Sequence, residues 1–274
     1  MDQSSLKNSP KSSLHYGEKT GKKLIPELSN EKINDFFKSR NWKAFPFQKK
    51  TWKAYREGKS GLVHGPTGTG KTYAVWVPPL LEWIEENPKS SKHSPKIRVL
   101  WLTPLRALVE DTTRSLRELV EELEIPWTVE SRTGDTSGNI KAKQRRKFPT
   151  ALVTTPESLS LLLSYPETKE CFSDLRAVIV DEWHELLSTK RGSQTELCLA
   201  RLRMWNPSLR TWGLSATLGN LEQAMSTLLG NEKVGILVDG DMHKKFVVKT
   251  LIPKNMEKLP WAGHLGLSLI HISE

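Results

Sequence analysis

The sequence predicts an α/β fold, in which helices cover both faces of a mostly parallel β-sheet. Short apolar runs alternate with longer amphipathic stretches along most of the chain, and this alternation is typical of parallel strands joined by helices. A glycine-rich signature also stands between the first apolar run and the stretch after it, which is its usual place in such folds. We expect strands over residues 61–64, 97–103, 128–131, 151–154, 177–180, 211–214 and 234–238.

The amphipathic stretches predict the helices, beginning with two that precede the first strand. One helix is expected to start near Ser29–Asn30, because apolar residues follow at helical spacing. A second is expected over residues 47–57, with Trp52 and Tyr55 facing inward and Gly58 ending it. These two would form an N-terminal helical extension. Later helices are expected over residues 73–86, 105–123, 157–164, 193–204 and 221–229.

Composition narrows the class of protein. Of the 274 residues, 37% are hydrophobic and 26% charged, which is ordinary for a globular protein. No apolar run approaches the roughly 18 residues that cross a bilayer, and the amino terminus lacks a secretory signal, so we expect a cytoplasmic protein without membrane contact. Cys171 and Cys198 are expected to be reduced thiols, because two distant cysteines suit neither a metal cluster nor a disulfide framework.

The charge distribution bears on the partner. The formal net charge is +10, and most of it falls in the first sixty residues. Such a balance favours a polyanionic partner. A solvated lysine-rich tail that binds nothing specific explains the charge equally well.

The segment 65–72, GPTGTGKT, fits the pattern G-x-x-x-x-G-K-[ST] and has an apolar strand before it and a helix after it. Glycines let such a loop curl so that its N–H groups point at phosphate oxygens, and the helix N-terminus adds a favourable dipole. We expect Lys71 to reach the β- and γ-phosphates of ATP and Thr72 to offer its hydroxyl to Mg²⁺. The expected nucleotide-binding residues here are Gly65, Pro66, Thr67, Gly68, Thr69, Gly70, Lys71 and Thr72.

Asp181 and Glu182 come directly after the apolar run 177–180. Ligands of open α/β sheets bind beyond the carboxyl ends of the strands. We therefore expect Asp181 to hold Mg²⁺ and Glu182 to orient and polarise the attacking water, with Lys71 as the third catalytic residue. Because acids also favour helix N-termini, a plain helix start is the alternative for this pair.

Together with these two sites, further short motifs resemble those of superfamily 2 helicases of the DEXH type. Residues 181–184 fit the Asp-Glu-x-His box, and 45–48 resemble the glutamine motif that reads adenine. Segments 103–108, 154–159 and 215–217 resemble motifs Ia, Ib and III. Within the superfamily, the segments HGPTGTGKTY, TGDT and PWAGHL are most similar to Lhr-type proteins, and nearest to the ligase-associated bacterial branch. The resemblance covers residues 30–266 and implies a three-layer, RecA-like P-loop NTPase domain.

The resemblance also implies roles for single residues. Gln48 would bond the adenine edge, and His184 would form a hydrogen bond towards motif III. Hydroxyls, backbone N–H groups and arginine follow phosphates without reading bases, which suits the residues expected to contact nucleic acid. These are Arg106, Thr133, Gly134, Asp135, Thr155 and Pro156. The residues expected to couple the nucleotide to the strand are His184, Ser215, Ala216 and Thr217.

Plainer interpretations stay open for several of these residues. Ser215 and Thr217 could simply cap a helix, and Arg106 could be a surface cation. His184 could be a structural histidine; it is not an expected metal ligand, because no second ligand stands at the right spacing. Trp183 beside the acidic site is expected to pack in the core or at its rim, with stacking on a base as the alternative.

The resemblance and the changes in composition divide the chain into five parts. Residues 1–24 are expected to be a disordered basic tail and 25–60 the helical extension. Residues 61–243 would form the first RecA-like domain, and 244–266 a linker, a further strand or the start of a second domain. Residues 267–274 resemble translated adapter sequence, so we expect a non-native tail of a truncated or chimeric reading frame.

The expected function is that of an ATP- and Mg²⁺-dependent helicase or translocase, of which this chain is the ATP-binding half. The resemblance favours DNA over RNA, with a single strand tracked, and implies a link to repair with DNA ligase or nuclease partners in a bacterial cytoplasm. An RNA helicase and a non-catalytic binding module are the alternatives. Motifs IV to VI of the second RecA-like domain do not occur in the sequence, so slow hydrolysis is expected.

Overall fold

A computed structural model of the protein describes residues 27–87, 93–216, 218–230 and 234–240, with no side-chain description for residues 27–30. Several expectations fall outside these ranges. They are the basic tail at 1–24, the role of Thr217, and the linker and tail at 244–274.

The seven strands in the described part of the chain form one sheet in which every pairing is parallel. The strands are β1 (Gly61–His64), β2 (Val99–Leu102), β3 (Val129–Arg132), β4 (Ala151–Thr154), β5 (Ala177–Val180), β6 (Arg210–Ser215) and β7 (Ile236–Asp239). Their order across the sheet is β3-β4-β2-β5-β6-β1-β7. The predicted mostly parallel sheet is therefore confirmed, and β1, β4 and β5 have the predicted bounds.

Ten helices surround this sheet in the described residues. They are α1 (Glu27–Ser39), α2 (Pro46–Arg56), α3 (Lys71–Glu86), α4 (Arg106–Glu122), α5 (Gly138–Arg146), α6 (Pro156–Leu163), α7 (Thr168–Cys171), α8 (Trp183–Leu186), α9 (Lys190–Trp205) and α10 (Leu221–Leu229).

Two helix predictions need correction. The first helix begins at Glu27, before the expected cap at Ser29–Asn30, because Glu27 and Leu28 are themselves good helix formers. Helices α5 and α7 were not predicted, and a helix start at the position of α8 was expected only as the alternative for the two acids. Helix α5 buries only Gln144 and so lacks an apolar period, while α7 and α8 have four residues each, too few for a period to show.

The core lies in two layers, one on each face of the sheet. Along β2, Val99 and Trp101 join the cluster on the face of α1 to α4, while Leu100 and Leu102 join the cluster under α6, α9 and α10. This alternation follows from the two-residue period of a strand. Trp76 and Trp101 are fully buried, and the result is a three-layer α/β architecture.

The N-terminal extension packs beside β7, the last strand in the order of the sheet. Helix α2 contacts α3 and β7, and Tyr55 at its inner side is buried. Trp52, also predicted to face inward, is only half-buried, and its indole N–H donates to the carbonyl of Tyr73 (3.1 Å). The positive φ of Gly58 (75°) follows the helix end, as expected.

Because all strands are parallel, their carboxyl ends meet at one edge of the sheet. The segments that follow the strands at this edge are the glycine-rich loop after β1, Thr103 after β2, Thr133 after β3, Thr155 after β4, Asp181 after β5 and Ala216 after β6. The fold therefore gathers the predicted motifs on one side. Helices with the length and apolar character of a membrane crossing do not occur in the described ranges.

Candidate functional site

The loop 65–70 joins β1 to α3 and depends on its glycines. Gly70 has a φ of 81° and precedes the first residue of α3. A Cβ on Gly70 would lie 2.8 Å from Nε2 of Gln48, and one on Gly65 would lie 2.8 Å from the carbonyl carbon of Gly240. Both positions therefore need the absence of a side chain.

Lys71 points back into this loop. Its Nζ donates hydrogen bonds to the carbonyls of Gly65 (2.6 Å) and Pro66 (2.7 Å). Burial lowers the pKa of this ammonium, while the charges of Glu182 and Asp181 oppose that shift. Lys71 and the two acids therefore share one electrostatic site, as the sequence predicted. Thr72 follows, half-buried, in the first turn of α3.

Asp181 is held from two sides. Its Oδ2 accepts a hydrogen bond from the indole N–H of Trp101 (3.2 Å), and its Oδ1 accepts one from the backbone N–H of Glu182 (3.0 Å). Burial, and then the charge of Glu182, raise the pKa of Asp181 from 3.8 to about 6, against the opposing effects of Trp101 and Lys71. The contact with Trp101 was not predicted, because nothing in the sequence pattern of a strand shows where an indole N–H points.

Glu182 adopts a left-handed backbone conformation, with φ 46° and ψ 46°. A non-glycine residue in this region costs on the order of 1–3 kcal/mol, and such strain persists where the surrounding structure enforces it, often at functional sites. Its side chain is half-buried, and Oε2 lies 3.5 Å from Nδ1 of His184.

His184 connects the acidic box to the segment after β6. Its Nδ1 accepts a hydrogen bond from the backbone N–H of Ala216 (3.3 Å). Its Nε2 lies 3.4 Å from Oε1 of Glu185. The predicted hydrogen bond between His184 and motif III is confirmed, and the coupling role stays a prediction.

Trp183 is fully buried, and its indole N–H donates to the carbonyl of Ala224 (2.8 Å). The predicted packing role is confirmed. Stacking on a base, the alternative, is incompatible with this burial.

Ser215, the last residue of β6, is fully buried, and its carbonyl accepts a hydrogen bond from Gly65 N–H (3.1 Å). Its hydroxyl has no hydrogen-bond partner among the described residues. Asn220 caps α10 instead, since its side chain accepts from the N–H of Gln223 (3.1 Å). The alternative that Ser215 is a helix cap is therefore wrong.

Gln48 ties α2 to the loop. Its Nε2 donates to the carbonyl of Gly70 (2.9 Å), and its Oε1 accepts from the N–H of Phe45 (2.9 Å). The side chain is 1% exposed, so it touches the loop from inside the fold. Its contact with adenine stays a prediction.

A cleft of about 150 Å³ lies at the carboxyl ends of β3 and β4, on the side of the sheet that also carries the loop 65–70. Arg106, Thr133, Gly134 and Thr155 line it, so the structure brings together residues predicted from three separate motifs. Asp135 pairs with Arg106 (3.3 Å), while Pro156 starts α6 and is buried. Sequence reasoning missed the other lining residues, which are Arg132, Lys141, Glu157, Ser158 and Leu161.

The side chains available as metal ligands near Lys71 limit which metal ion this site could hold. The described residues contain no group of three His, Cys, Asp or Glu side chains suited to a metal ion. Thr72 and Asp181 instead offer a hydroxyl and a carboxylate, and Mg²⁺ needs only one or two such oxygens beside phosphates and waters. These residues therefore fit a Mg²⁺ ion.

The fold and the glycine-rich loop 65–70 define a P-loop, RecA-like nucleotide-binding domain. The family model described as DEAD/DEAH box helicase matches residues 45–224, more than half of the chain, and the chain belongs to this family. The resemblance to DEXH helicases of the Lhr type is confirmed, because curated relatives of that name match most of this chain.

The ATP-dependent helicase Lhr-Core of Methanocaldococcus jannaschii is 35% identical over 240 residues, which is 84% of this chain and 28% of that protein. The Lhr helicase/uracil glycosylase of Escherichia coli is 31% identical over 78% of this chain and 15% of its own length. The solved structure of Mycobacterium smegmatis helicase Lhr bound to ssDNA and AMP-PNP has a TM-score of 0.65 and 33% identity, covering 78% of this chain and 28% of that one. The chain therefore spans less than a third of these relatives.

Proposed function

We propose that this chain is the ATP-binding first half of a nucleic-acid helicase or translocase that acts on a single DNA strand. The observation that carries the proposal is the shared site of Lys71, Asp181 and Glu182. A lysine in a glycine-rich loop after β1, coupled to two adjacent acids that follow β5, two strands away in the sheet, is the arrangement that phosphoryl transfer from ATP requires.

Each of these residues has a proposed task. The N–H groups of the loop and Lys71 bind the phosphates, with Lys71 exchanging the carbonyls of Gly65 and Pro66 for phosphate oxygens. Thr72 and Asp181 would hold Mg²⁺, which supplies neutralisation of charge on the β- and γ-phosphates when bound. Glu182 orients the attacking water and accepts its proton.

The cleft is the proposed path of the nucleic acid strand. Arg106, Thr155 and the 133–136 turn offer a guanidinium, hydroxyls and backbone N–H groups, which bind phosphates without regard to sequence. The hydrogen bond between His184 and Ala216 is the proposed link by which the acidic box senses the segment after β6. DNA is favoured over RNA because the Mycobacterium smegmatis relative was solved bound to ssDNA.

Efficient turnover would need residues beyond this span. Helicases of this kind close on ATP between two RecA-like domains, and an arginine from the second is worth on the order of 10³–10⁵ in rate. We infer that this chain alone binds ATP weakly, hydrolyses it slowly and does not separate a duplex. Robust unwinding by residues 1–274 would contradict this inference. A role in repair with DNA ligase or nuclease partners, and a bacterial cytoplasmic location, rest on the sequence resemblance alone.

The proposal is tested first by the variant Lys71→Ala. Loss of the buried ammonium should abolish detectable binding of a fluorescent ATP analogue, because no other cation of the loop can replace it. Lys53→Ala is the control, since Lys53 is an exposed lysine of α2. Unchanged nucleotide affinity in Lys71→Ala would overturn the site assignment.

A second assay tests whether the chain responds to DNA or to RNA. The slow ATPase is measured with matched single strands of DNA and of RNA. A greater response to DNA supports the proposal, and a greater response to RNA would assign the chain to RNA instead. Strand binding without any nucleotide binding would favour a non-catalytic module.

A further inference from the structure

Helix α5 carries a dense run of positive charge that the proposed function does not use. Residues 141–147 contain five basic side chains and no acidic one, namely Lys141, Lys143, Arg145, Arg146 and Lys147. Of these five, Lys141 lines the cleft beside Arg106. The helix therefore brings one ammonium to the proposed strand path while the rest of the run faces elsewhere.

Buried polar contacts fix α5 to β3 and so fix the position of Lys141. The guanidinium of Arg132, 3% exposed, donates to the carbonyl of Lys141 (3.1 Å) and to Oε1 of Gln144 (3.4 Å). Gln144, 1% exposed, donates in turn to the carbonyl of Ser131 (3.0 Å) and to Oε2 of Glu130 (2.9 Å). An anchored helix presents Lys141 to the cleft with little loss of backbone freedom on binding.

Lys141 and Arg106 approach the same glycine from two elements. The Nζ of Lys141 donates to the carbonyl of Gly134 (2.6 Å). A Cβ on Gly134 would lie 3.3 Å from Nη2 of Arg106, so a side chain there would push against the guanidinium. The two cations thus reach the same glycine from two different elements, and all three residues line the cleft.

The acids near this point are already engaged. Asp135 pairs with Arg106 (3.3 Å), and Arg191 contacts both carboxylate oxygens of Glu157 (2.5 and 3.3 Å). In the described part of the chain no carboxylate pairs with Lys141, whose ammonium meets only a carbonyl. A phosphate oxygen is a stronger acceptor than a carbonyl and would replace it.

We propose that Lys141 binds a backbone phosphate of a single nucleic acid strand together with Arg106, across Gly134. The path of the nucleic acid then continues from Arg106, the motif Ia residue, to helix α5. This inference rests on the proposed function, in which the cleft binds the strand.

The helix supplies its own matched control. Lys143 is exposed and stands two residues further on, about 200° around the helix from Lys141. Lys143→Ala therefore removes the same charge from the same helix without touching the cleft. It separates a specific phosphate contact from general attraction by the basic run.

The test is equilibrium binding of a fluorescein-labelled oligothymidylate of about 20 nucleotides to the 274-residue chain over a range of salt concentrations. We expect Lys141→Ala to weaken binding about tenfold and to reduce the slope of log affinity against log salt by about 0.7, the value for one phosphate contact on a single strand. Lys143→Ala should change affinity less than twofold. Lys141→Arg should restore most of the loss, and Lys141→Gln repeats the test if the alanine variant does not fold.

Arg106→Ala separates the failure of this inference from that of the proposed function. If Arg106→Ala weakens binding but Lys141→Ala does not, the strand uses the cleft without α5, and the inference is overturned. Equal losses in Lys141→Ala and Lys143→Ala would also overturn it, because the attraction would then be diffuse. If neither Arg106→Ala nor Lys141→Ala affects binding, the cleft itself is not the strand path.

Discussion

At the scale of single residues, Trp101 connects the apolar core to the acidic site. It is fully buried in β2, and its indole N–H donates a hydrogen bond to Oδ2 of Asp181 (3.2 Å). A buried donor to a carboxylate holds that carboxylate in one orientation and favours its charged form. The core therefore sets the direction in which Asp181 presents its oxygens.

Trp101→Phe should weaken Mg²⁺ binding at Asp181 while leaving most of the core volume filled. Phenylalanine keeps most of the apolar volume but removes the donor, so Asp181 loses orientation and charge. We expect the Mg²⁺ concentration that half-saturates nucleotide binding to rise several-fold, with a loss of about 1–3 kcal/mol in the free energy of unfolding.

Trp76→Phe is the matched control for that change. Trp76 is also fully buried, and its indole N–H donates to the carbonyl of Leu116 (3.1 Å), away from the site. It should lose similar stability but keep the Mg²⁺ dependence. The same Mg²⁺ midpoint in both variants would show that Trp101 acts through packing alone.

Asp181 also gives the protein a pH-dependent stability. Its carboxyl has a pKa of about 6 when folded against 3.8 as the ordinary value. Between these values the folded state binds more protons than the unfolded state, so the free energy of unfolding falls as pH rises from about 4 to about 6. The difference amounts to at most about 3 kcal/mol.

Asp181→Asn removes this titration. Urea unfolding at pH 4.5 and at pH 7 should therefore show the variant gaining stability relative to the parent chain as pH rises. Parallel stability profiles for the two proteins would mean that the carboxyl is not shifted in the folded state.

The sequence predicted which residues share the site better than it predicted the contacts that hold them. Lys71, Asp181 and Glu182 lie in motifs whose spacing reveals their partners. The contacts of Trp101, Gln48 and Lys141 depend on which face of an element meets which loop, and they become visible only once the elements are packed.

At the scale of elements, the turn from β1 into α3 depends on its glycines in two ways. Gly68 and Gly70 both have positive φ (73° and 81°), where an L side chain costs about 1–2 kcal/mol. A Cβ on Gly68 meets nothing within 4 Å, whereas one on Gly70 meets Nε2 of Gln48 at 2.8 Å.

Gly68→Ala and Gly70→Ala therefore form a matched pair. Both should lose stability through backbone strain, but Gly70→Ala should lose about 1 kcal/mol more, because the amide of Gln48 must leave the carbonyl of Gly70. Denaturant midpoints of the two variants measure the difference. Identical midpoints would mean that the link between α2 and the loop contributes nothing.

Helices and strands were predicted correctly where burial produces a continuous apolar run or an apolar period in the sequence. They were missed where burial is slight or the element is very short. Strand β5 was predicted to the residue because it is buried throughout. Helix α5 was missed because it is held by polar contacts of Arg132 and Gln144. A helix start at the position of α8 was only the alternative for the two acids, because four residues are too few to show an apolar period.

At the scale of the whole molecule, the two edges of the sheet have different tasks. The carboxyl edge carries the loops of the site, while the amino edge carries a network of charges around Glu82. Its Oε1 pairs with Arg210 (2.8 Å), and its Oε2 accepts from the Tyr55 hydroxyl (3.3 Å). Burial, and then the charge of Glu82, raise the pKa of Tyr55 well above its ordinary value.

Glu82→Ala should destabilise the fold while sparing the site. Removing one partner leaves the largely buried charge of Arg210 uncompensated, which costs about 3 kcal/mol, whereas nucleotide affinity of the folded protein should not change. Asp111→Ala breaks the exposed pair with Arg114 and should cost less than about 1 kcal/mol. Chemical denaturation and nucleotide titration of both variants check this, and a loss of affinity in Glu82→Ala would contradict the division between edges.

The sheet was predictable as a class, since alternating runs and amphipathic stretches imply parallel strands. Its strand order was not, because nothing in the run 61–64 tells which other strands it pairs with. The pairing is settled by long-range packing, such as that of Gly61 against Trp212 and Ile236.

That pairing has a consequence for synthesis on the ribosome. In the described sheet β1 lies between β6 and β7, so the strand that leads into the nucleotide loop is made early while both neighbours are made last. A nascent chain that stops before residue 210 holds the entire loop and both acids yet lacks the two strands that flank β1. We therefore expect a nascent chain to bind nucleotide only after β6 and β7 have been synthesised, and a chain that terminates before residue 210 not to bind it.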